Sequence, residues 1–469
     1  LYENPEQEPV PATADEKTTV ITVENLRDFD AEKITGDCYF TLDSRRADLY
    51  ADGTEYLFGV KETLLDDGFN LSEVLRALSP IFRGKNRLTV YDKKELMHKL
   101  RTVGAELTCA CDDVSVMKYL ADYTGRDDKL SDVIEEYDKN PATPARSLCE
   151  IYLYLRDRLE KEGMTKLYRD LELPLANVLF DMETAGFKVD YDALNAAGQQ
   201  FKERMQTLEK QIKDLAGESD FNLNSPVQLG RILFEKLKIG KGKKTKNGYS
   251  TSAEVLEELK DAHPVVPLIL TYRRIQKLNS TYVEGFKPLI DRNTGLIYTS
   301  FNQTVTSTGR LSSKEPNLQN IPVRGDEGRE LRKFFVPRDE NHLLVSADYS
   351  QIELRLLAAF SGCKGLLEAF DKGEDVHAET AAKVFGIKET EVTPELRRAA
   401  KAVNFGIIYG ISEYGLSKNL GVPVSIAKNY ITGYFREYPE VKKYMDENVD
   451  FARRHGYSVT LLGRKRYIK

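Results

Sequence analysis

Among its 469 residues the chain has no tryptophan, only five cysteines and five histidines, and no excess of positive charge. Each shortage excludes something. Cys38, Cys109, Cys111, Cys149 and Cys363 form an odd, scattered set. That set fits a reducing cytoplasm and excludes a disulfide framework. Cys109 and Cys111 make only C-x-C with no histidine pair nearby, which excludes a zinc site. No run approaches the roughly 18 apolar residues of a membrane helix. No signal peptide opens the chain. The net charge of −6 gives no overall nucleic-acid signature. Local basic patches matter more than that sum. GKGKKTKNG lacks the spacing of a phosphate-binding P-loop.

What is present is an ordinary globular composition, 41% apolar and 30% charged, long enough for two to four domains. LYENPEQEPVPATADEK is rich in Pro and Glu and reads as a linker. From about Thr18 to Thr124, short apolar runs such as TVITV, CYFTL and NRLTVYD alternate with helical patterns, the mark of an α/β domain. From Lys129 to Glu218, and again from Pro226 to Asp291, the periodicity is helical. Between those helices, residues 236–246 hold six lysines and no acid. They read either as a solvated loop or as a tip that follows a phosphate backbone. LIYTSFNQTV and NHLLVSAD return to strand patterns, and the chain after Gln351 is mainly helical to about Gly456.

Three stretches carry chemistry. In HLLVSADYSQIELRLLAAFSG, LLVSAD predicts a short buried strand ending on Asp348, and QIELRLLAAFSG predicts a helix stopping near Gly362. An acid at such a strand end either caps the next helix or offers a fixed carboxylate to Mg²⁺, which takes one or two carboxylates plus phosphate oxygens. In RRAAKAVNFGIIYG, Arg397, Lys401, Phe405 and Tyr409 recur every four residues. Four-residue steps drift only about 40° around a helix, so the four form one stripe. Ala399, Ala400, Val403 and Ile407 fall largely elsewhere and are predicted to pack inward. Two cations followed by two aromatic faces match a nucleoside triphosphate, with phosphates at one end and sugar and base at the other. Lys401 is also placed to give a proton to a pyrophosphate leaving group. The plain alternative is an amphipathic helix with a basic shoulder. In TSTGRLSSKEPNLQNIPVRG, the groups of Arg310, Ser312, Ser313, Asn317, Gln319 and Asn320 suit minor-groove acceptors and sugar–phosphate oxygens.

These stretches resemble the family A DNA polymerases of the bacterial DNA polymerase I type. DYSQIELR (348–355), RRAAKAVNFGIIYG (397–410) and TGRLSSKEPNLQNIP (308–322) are similar to the family's motif A, motif B and primer–template segment. The resemblance implies an α/β and α+β multidomain fold: an exonuclease-like (ribonuclease H-like) domain, then a right-hand polymerase. It implies a linker at 1–16, the exonuclease-like domain at 17–165, palm start and helical thumb at 166–291, palm at 292–363 and fingers at 364–469. It implies two Mg²⁺ ions held by Asp348 with help from the Tyr349 carbonyl, and a nucleotide site of Tyr349, Gln351, Glu353, His377, Arg397, Lys401, Phe405 and Tyr409. Asp348 and Lys401 take the catalytic roles. Glu353 is implied to exclude a ribose 2′-OH, and Phe405 to discriminate against dideoxynucleotides. Arg273, Lys277, Arg310, Asn317, Gln319, Asn320, Lys243 and Lys244 are implied to hold DNA. The implied partners are primer–template DNA and deoxynucleoside triphosphates, for a monomer in the bacterial cytoplasm, associated with the nucleoid.

Two departures stand out. The exonuclease acids are degraded: Asp43 is followed by Arg45 where the family has Glu, Asp92 follows Leu88 where it has Asn, and NPATPARSLCE holds no Y-x₃-D. A cation in place of a metal ligand disfavours metal binding, so loss of proofreading is expected. The second departure is the end at GRKRYIK, with no His-Asp-Glu anywhere. The resemblance therefore implies a polymerase truncated before motif C. The alternative is a catalytically incomplete DNA-binding fragment.

Overall fold

The computed structural model describes residues 18–468, except 64, 139, 140, 142, 324 and 325; of 326 and 327 it describes the backbone alone. The expected linker at 1–16 lies outside the described residues, as do residues 140 and 142 of NPATPARSLCE. Two compact units form, one of residues 8–344 and one built on residues 345–469.

The first unit opens with a six-stranded mixed sheet. Its strands are β1 (Thr19–Thr22), β2 (Cys38–Leu42), β3 (Arg46–Ala51), β4 (Thr54–Gly59), β5 (Leu88–Val90) and β6 (Cys111–Asp113), in the order β1-β4-β3-β2-β5-β6. The meander β2-β3-β4 is antiparallel, while β1 on β4, β5 on β2 and β6 on β5 are parallel. CYFTL explains the two-sided covering. Cys38 and Phe40 enter one core with Phe58, Leu75 and Phe82, and Tyr39 enters another with Leu148, Ile151 and Tyr152. A strand buried on both faces reads as a continuous apolar run.

Beyond the sheet, helix Tyr191–Ala216 packs along helix Val265–Leu278. Phe201, Leu208 and Ile212 meet Ile269, Tyr272 and Ile275 in one core, the apolar stripes that the helical periodicity predicts. Glu183, on helix Leu173–Ala185, ties this region to the α/β part. Its buried carboxylate accepts from Lys94 Nζ (2.5 Å), His98 Nε2 (2.6 Å) and the Phe301 amide (2.6 Å).

The second unit is helical: Ile352–Ser361, Lys364–Lys372, Val376–Phe385, Pro394–Ile408, Glu413–Leu420, Val424–Glu437 and Pro439–His455, then the hairpin Tyr457–Val459 and Lys465–Tyr467. Its core holds Leu357, Leu366, Val376, Val403, Ile407, Leu416, Tyr434 and Tyr438. Helix Ile352–Ser361 stops at Gly362 in the left-handed region (φ 64°), as its sequence predicts.

One expectation is overturned. LLVSAD forms no strand, and Leu343 and Val345 are 85% and 88% exposed. A strand is held by backbone bonds to a neighbour. Among the described residues no strand pairs with this stretch. Asp348 therefore stands in an irregular segment rather than at a sheet edge.

Candidate active site

Helix Pro394–Ile408 begins with Thr393, whose hydroxyl accepts from the Leu396 amide, and Pro394 at its first position. Ala400, Val403, Asn404, Gly406 and Ile407 are buried. Arg397, Lys401 and Tyr409 are exposed, and Phe405 is half-buried between them. The stripe read from the sequence is thus a physical face. Lys401 Nζ lies 6.0 Å from the centre of the Phe405 ring.

The face has a partner at each end. At the cationic end, Arg397 Nε donates to Asp375 Oδ2 at 2.6 Å. The other oxygen of Asp375 accepts the amides of His377 and Ala378, capping helix Val376–Phe385. Burial lifts the Asp375 carboxyl, but Arg397 and those amides outweigh it and hold it below the usual carboxylate range. The pair is 46% and 39% exposed and contributes at most about 1 kcal/mol. His377, the next functional residue on that helix, is 3% exposed, and its ring centre lies 5.7 Å from that of Phe405. Burial pushes its imidazole below the usual histidine value; Asp375 opposes this, and the Lys401 and Arg397 charges add to it.

At the aromatic end, the Tyr409 hydroxyl sits 2.8 and 2.7 Å from the two oxygens of Glu353. The bond places a carboxylate at the sugar-and-base end of the stripe. Gly410 follows in the left-handed region (φ 68°) and ends the helix cleanly. Asp348 is exposed, and no hydrogen bond or ion pair reaches its carboxylate among the described residues. Tyr349 is 79% exposed. Gln351 carries a left-handed backbone (φ 51°), and its buried side-chain oxygen has no hydrogen-bond partner among the described residues. Arg355 braces the turn by donating to the Ser350 carbonyl at 3.0 Å, with its guanidinium 4.4 Å from the Phe370 ring.

All the nucleotide candidates therefore fall within residues 345–469. The DNA candidates fall in the other unit. Arg310, Gln319 and Asn320 are exposed. The Asn317 side chain accepts the amides of Gln319 (3.0 Å) and Asn320 (3.2 Å), so it shapes a turn. Lys243 and Lys244 are exposed at the hairpin of Lys244–Thr245 with Gly248–Tyr249, and Lys277 is exposed on its helix. Arg273 differs: its guanidinium is committed to the carbonyl and hydroxyl of Thr251, bracing the base of this hairpin region. Lys236 is likewise tied, to the Gly217 carbonyl and Glu218.

In the α/β part, Asp43 and Asp92 line a cavity of about 1070 Å³. Asp43 accepts the amides of Arg45 (2.7 Å) and Arg46 (2.8 Å), and Asp92 caps helix Lys93–Thr102 through the Glu95 amide. Both have structural work of their own. Among the described residues no group of three or more His, Cys, Asp or Glu is placed to hold a metal ion.

Sequence reasoning missed Asp375 and Asn404. Asp375 was legible as a helix cap in EDVHAETA, but its bond to Arg397, 22 residues on, was not. Asn404 lies between Val403 and Phe405, and a polar residue on an inward face was its only signal.

The chain is 46% identical to DNA polymerase I of Caldicellulosiruptor bescii over 389 residues, covering 81% of this chain and 46% of that protein. It is 50% identical to DNA polymerase I of Geobacillus stearothermophilus over 314 residues (67% and 36% covered) and 43% identical to that of Bacillus subtilis over 405 residues (81% and 46%). The chain thus spans less than half the length of these curated relatives. Its fold matches the POL domain of Pol1 from M. smegmatis, solved with DNA primer-template and dNTP, with a TM-score of 0.82 at 32% identity, covering 96% of this chain and 81% of that one. The model of DNA polymerase family A matches residues 191–469, and the chain belongs to that family.

Proposed function

We propose that the chain is the nucleotide-binding and DNA-binding part of a DNA-templated DNA polymerase, which joins a deoxynucleotide to a primer 3′-OH and releases pyrophosphate. One observation carries this reading: Arg397, Lys401, Phe405 and Tyr409 form a single open face, with His377 beside Phe405 and Glu353 at its aromatic end. The matched POL domain was solved with dNTP and primer-template, which supports the same use here.

In this reading Arg397 and Lys401 bind the outer phosphates, and Lys401 gives a proton to the leaving pyrophosphate. Phe405 lies against the sugar and Tyr409 near the base. Glu353, held by Tyr409, crowds the position of a ribose 2′-OH. Asp348 offers an unengaged carboxylate, with the Tyr349 carbonyl beside it in sequence. That donor set fits Mg²⁺, which takes few protein oxygens and completes its shell with phosphate. Bound there, two Mg²⁺ would activate the primer hydroxyl and neutralise the triphosphate. Lys243, Lys244, Lys277, Arg310, Asn317, Gln319 and Asn320 hold primer–template DNA. Arg273 supports that surface through Thr251. The α/β part is a scaffold without proofreading. The protein works as a monomer in the bacterial cytoplasm, on nucleoid DNA.

The second reading, a DNA-binding fragment without complete chemistry, is favoured by the unpaired stretch before Asp348. Equilibrium binding of a dNTP to the chain with primer–template present separates the two. The polymerase reading expects binding that weakens about tenfold or more in Arg397→Ala and Lys401→Ala. Binding of DNA with no binding of dNTP leaves only the second reading.

A further inference from the structure

The α/β part has no catalytic role in the reading above, yet it holds one of the DNA-binding loops in place. That loop, residues 303–311, joins the paired strands Ser300–Asn302 and Ser312–Lys314 and carries Arg310. It has no helix or strand of its own, and none of its residues enters a hydrophobic core. Ser307, Thr308, Gly309 and Arg310 are exposed. Apolar packing therefore does little to fix its shape, and polar bonds must do so.

Those bonds come from residues earlier in the chain. Gln303 is 9% exposed, and its Nε2 donates to the carbonyl (2.7 Å) and to a carboxylate oxygen (2.6 Å) of buried Glu172. The next anchors are two tyrosines. The Tyr123 hydroxyl lies 2.9 Å from the Val305 carbonyl, and the Tyr119 hydroxyl 2.8 Å from the Thr306 carbonyl. A carbonyl only accepts, so both phenols donate. Tyr119 is buried on helix Val114–Ala121, Tyr123 follows just past its end, and the two rings meet edge to face with centres 5.9 Å apart. Thr306 passes the hold on. Its hydroxyl donates to the Arg310 carbonyl at 2.5 Å, closing the tip, where Gly309 takes a left-handed backbone (φ 83°). Two bonds in series thus run from Tyr119 to the Arg310 backbone. At the base of the loop, Asp127 accepts from Asn302 on one strand (3.4 Å) and Lys314 on the other (2.8 Å).

We infer that Tyr119 and Tyr123 are positioning residues for the polymerase: their hydroxyls hold the backbone at Val305 and Thr306 so that Arg310 meets duplex DNA already in place. The inference rests on the reading of Arg310 as a DNA contact. A loop ordered beforehand loses less freedom when DNA binds, so the hold is read as tighter binding. Phenylalanine at either position keeps the ring and its packing and removes only the donor.

The first test needs no DNA. Trypsin cuts after arginine and lysine where the chain opens locally. Arg310 reports on the loop, and Lys244, exposed in a separate hairpin, serves as the reference site. The Tyr119→Phe, Tyr123→Phe double variant should raise cleavage after Arg310 about fivefold or more relative to cleavage after Lys244. An unchanged ratio overturns the inference.

The second test is a mutant cycle on primer–template affinity, read by fluorescence anisotropy. The tyrosine double variant should bind about fivefold more weakly and Arg310→Ala about tenfold more weakly. All three substitutions together should lose no more than Arg310→Ala alone, because the tyrosines act through that side chain. Tyrosines that merely join two parts of the fold would leave affinity unchanged or add their loss to that of Arg310→Ala, and either result overturns the inference. Thr306→Val cuts the link to Arg310 from the loop side and leaves the α/β part untouched. It should copy the tyrosine variant, and wild-type affinity there also overturns the inference. If Arg310→Ala binds DNA as tightly as wild type while the tyrosine variant shows the expected cleavage, the DNA reading of Arg310 fails instead.

Discussion

Replacing Glu183 by Ala should loosen the junction between the sheet region and the helices that follow it. The Glu183 side chain is 3% exposed and receives three donors: Lys94 at 2.5 Å, His98 at 2.6 Å and the Phe301 amide at 2.6 Å. Removing one partner of a buried charged cluster costs about 3–5 kcal/mol when the rest stays buried. Lys94 is 17% and His98 39% exposed, so both can turn partly to water. We therefore expect the lower end, about 3 kcal/mol, and about half of that for Glu183→Gln, which keeps the volume and one acceptor. The pH dependence has a definite sign. Burial lifts the Glu183 carboxyl, but hydrogen bonds from His98, Lys94 and the Phe301 amide, with the Lys94 charge, outweigh it and leave it below the usual glutamate value. A depressed folded pKa gives stability that is full above the ordinary carboxylate range and is lost as pH falls through the folded value. Hydrogen exchange of helices Lys93–Thr102 and Leu173–Ala185 reads the effect locally, without requiring two-state unfolding of the whole chain. Wild type and Glu183→Ala should differ by about 3 kcal/mol at pH 7, and the gap should narrow as pH falls below the ordinary glutamate range. Equal protection at pH 7, or a gap that widens in acid, would refute the reasoning.

Three further outcomes are expected. Asp48 is 2% exposed, and burial, only partly offset by Arg46 and aided by Glu55, pushes its carboxyl up to about 7. Stability from this group is therefore lost as pH rises from the ordinary aspartate range towards 7, and Asp48→Asn should be the more stable protein at pH 8 by on the order of 1–2 kcal/mol, read by thermal unfolding followed by circular dichroism; a variant less stable than wild type at pH 8 contradicts this. Asp375→Ala removes a helix cap and the Arg397 ion pair together, and should cost about 1–2 kcal/mol in exchange protection of helix Val376–Phe385; no loss there refutes the capping role. A mispaired primer incubated with the chain and Mg²⁺ should stay intact on a gel, because Asp43 and Asp92 are committed to a turn and a cap; steady 3′ trimming would show a working exonuclease.

How far the sequence could be read depended on how local each feature is. The stripe of Arg397, Lys401, Phe405 and Tyr409 was legible because helical spacing alone sets it, and the inward burial of Ala400, Val403 and Ile407 follows from the same periodicity. The stop at Gly362 was legible because a helix ending commonly needs a left-handed residue. CYFTL was legible as a strand because its apolar run is buried on two faces. LLVSAD looked equally strand-like and is not one, since pairing is a property of two strands and the sequence shows one. Arg273 looked like a DNA contact until its bonds to Thr251 were seen. The Arg397–Asp375 pair and the Thr380–Asn404–His377 chain join residues 22 to 27 positions apart, across a helix–helix packing that no local pattern encodes.

The central claim is that Asp348 and the face of helix Pro394–Ile408 perform templated nucleotide addition. Primer extension tests it most directly, with all four dNTPs and Mg²⁺, using the protein as its gene encodes it beside its Asp348→Ala and Lys401→Ala variants. The account predicts extension by the wild type, a loss of about a thousandfold or more in Asp348→Ala, and a large loss in Lys401→Ala. Extension by Asp348→Ala at the wild-type rate, or a wild type that binds duplex DNA and never extends it, would contradict the account.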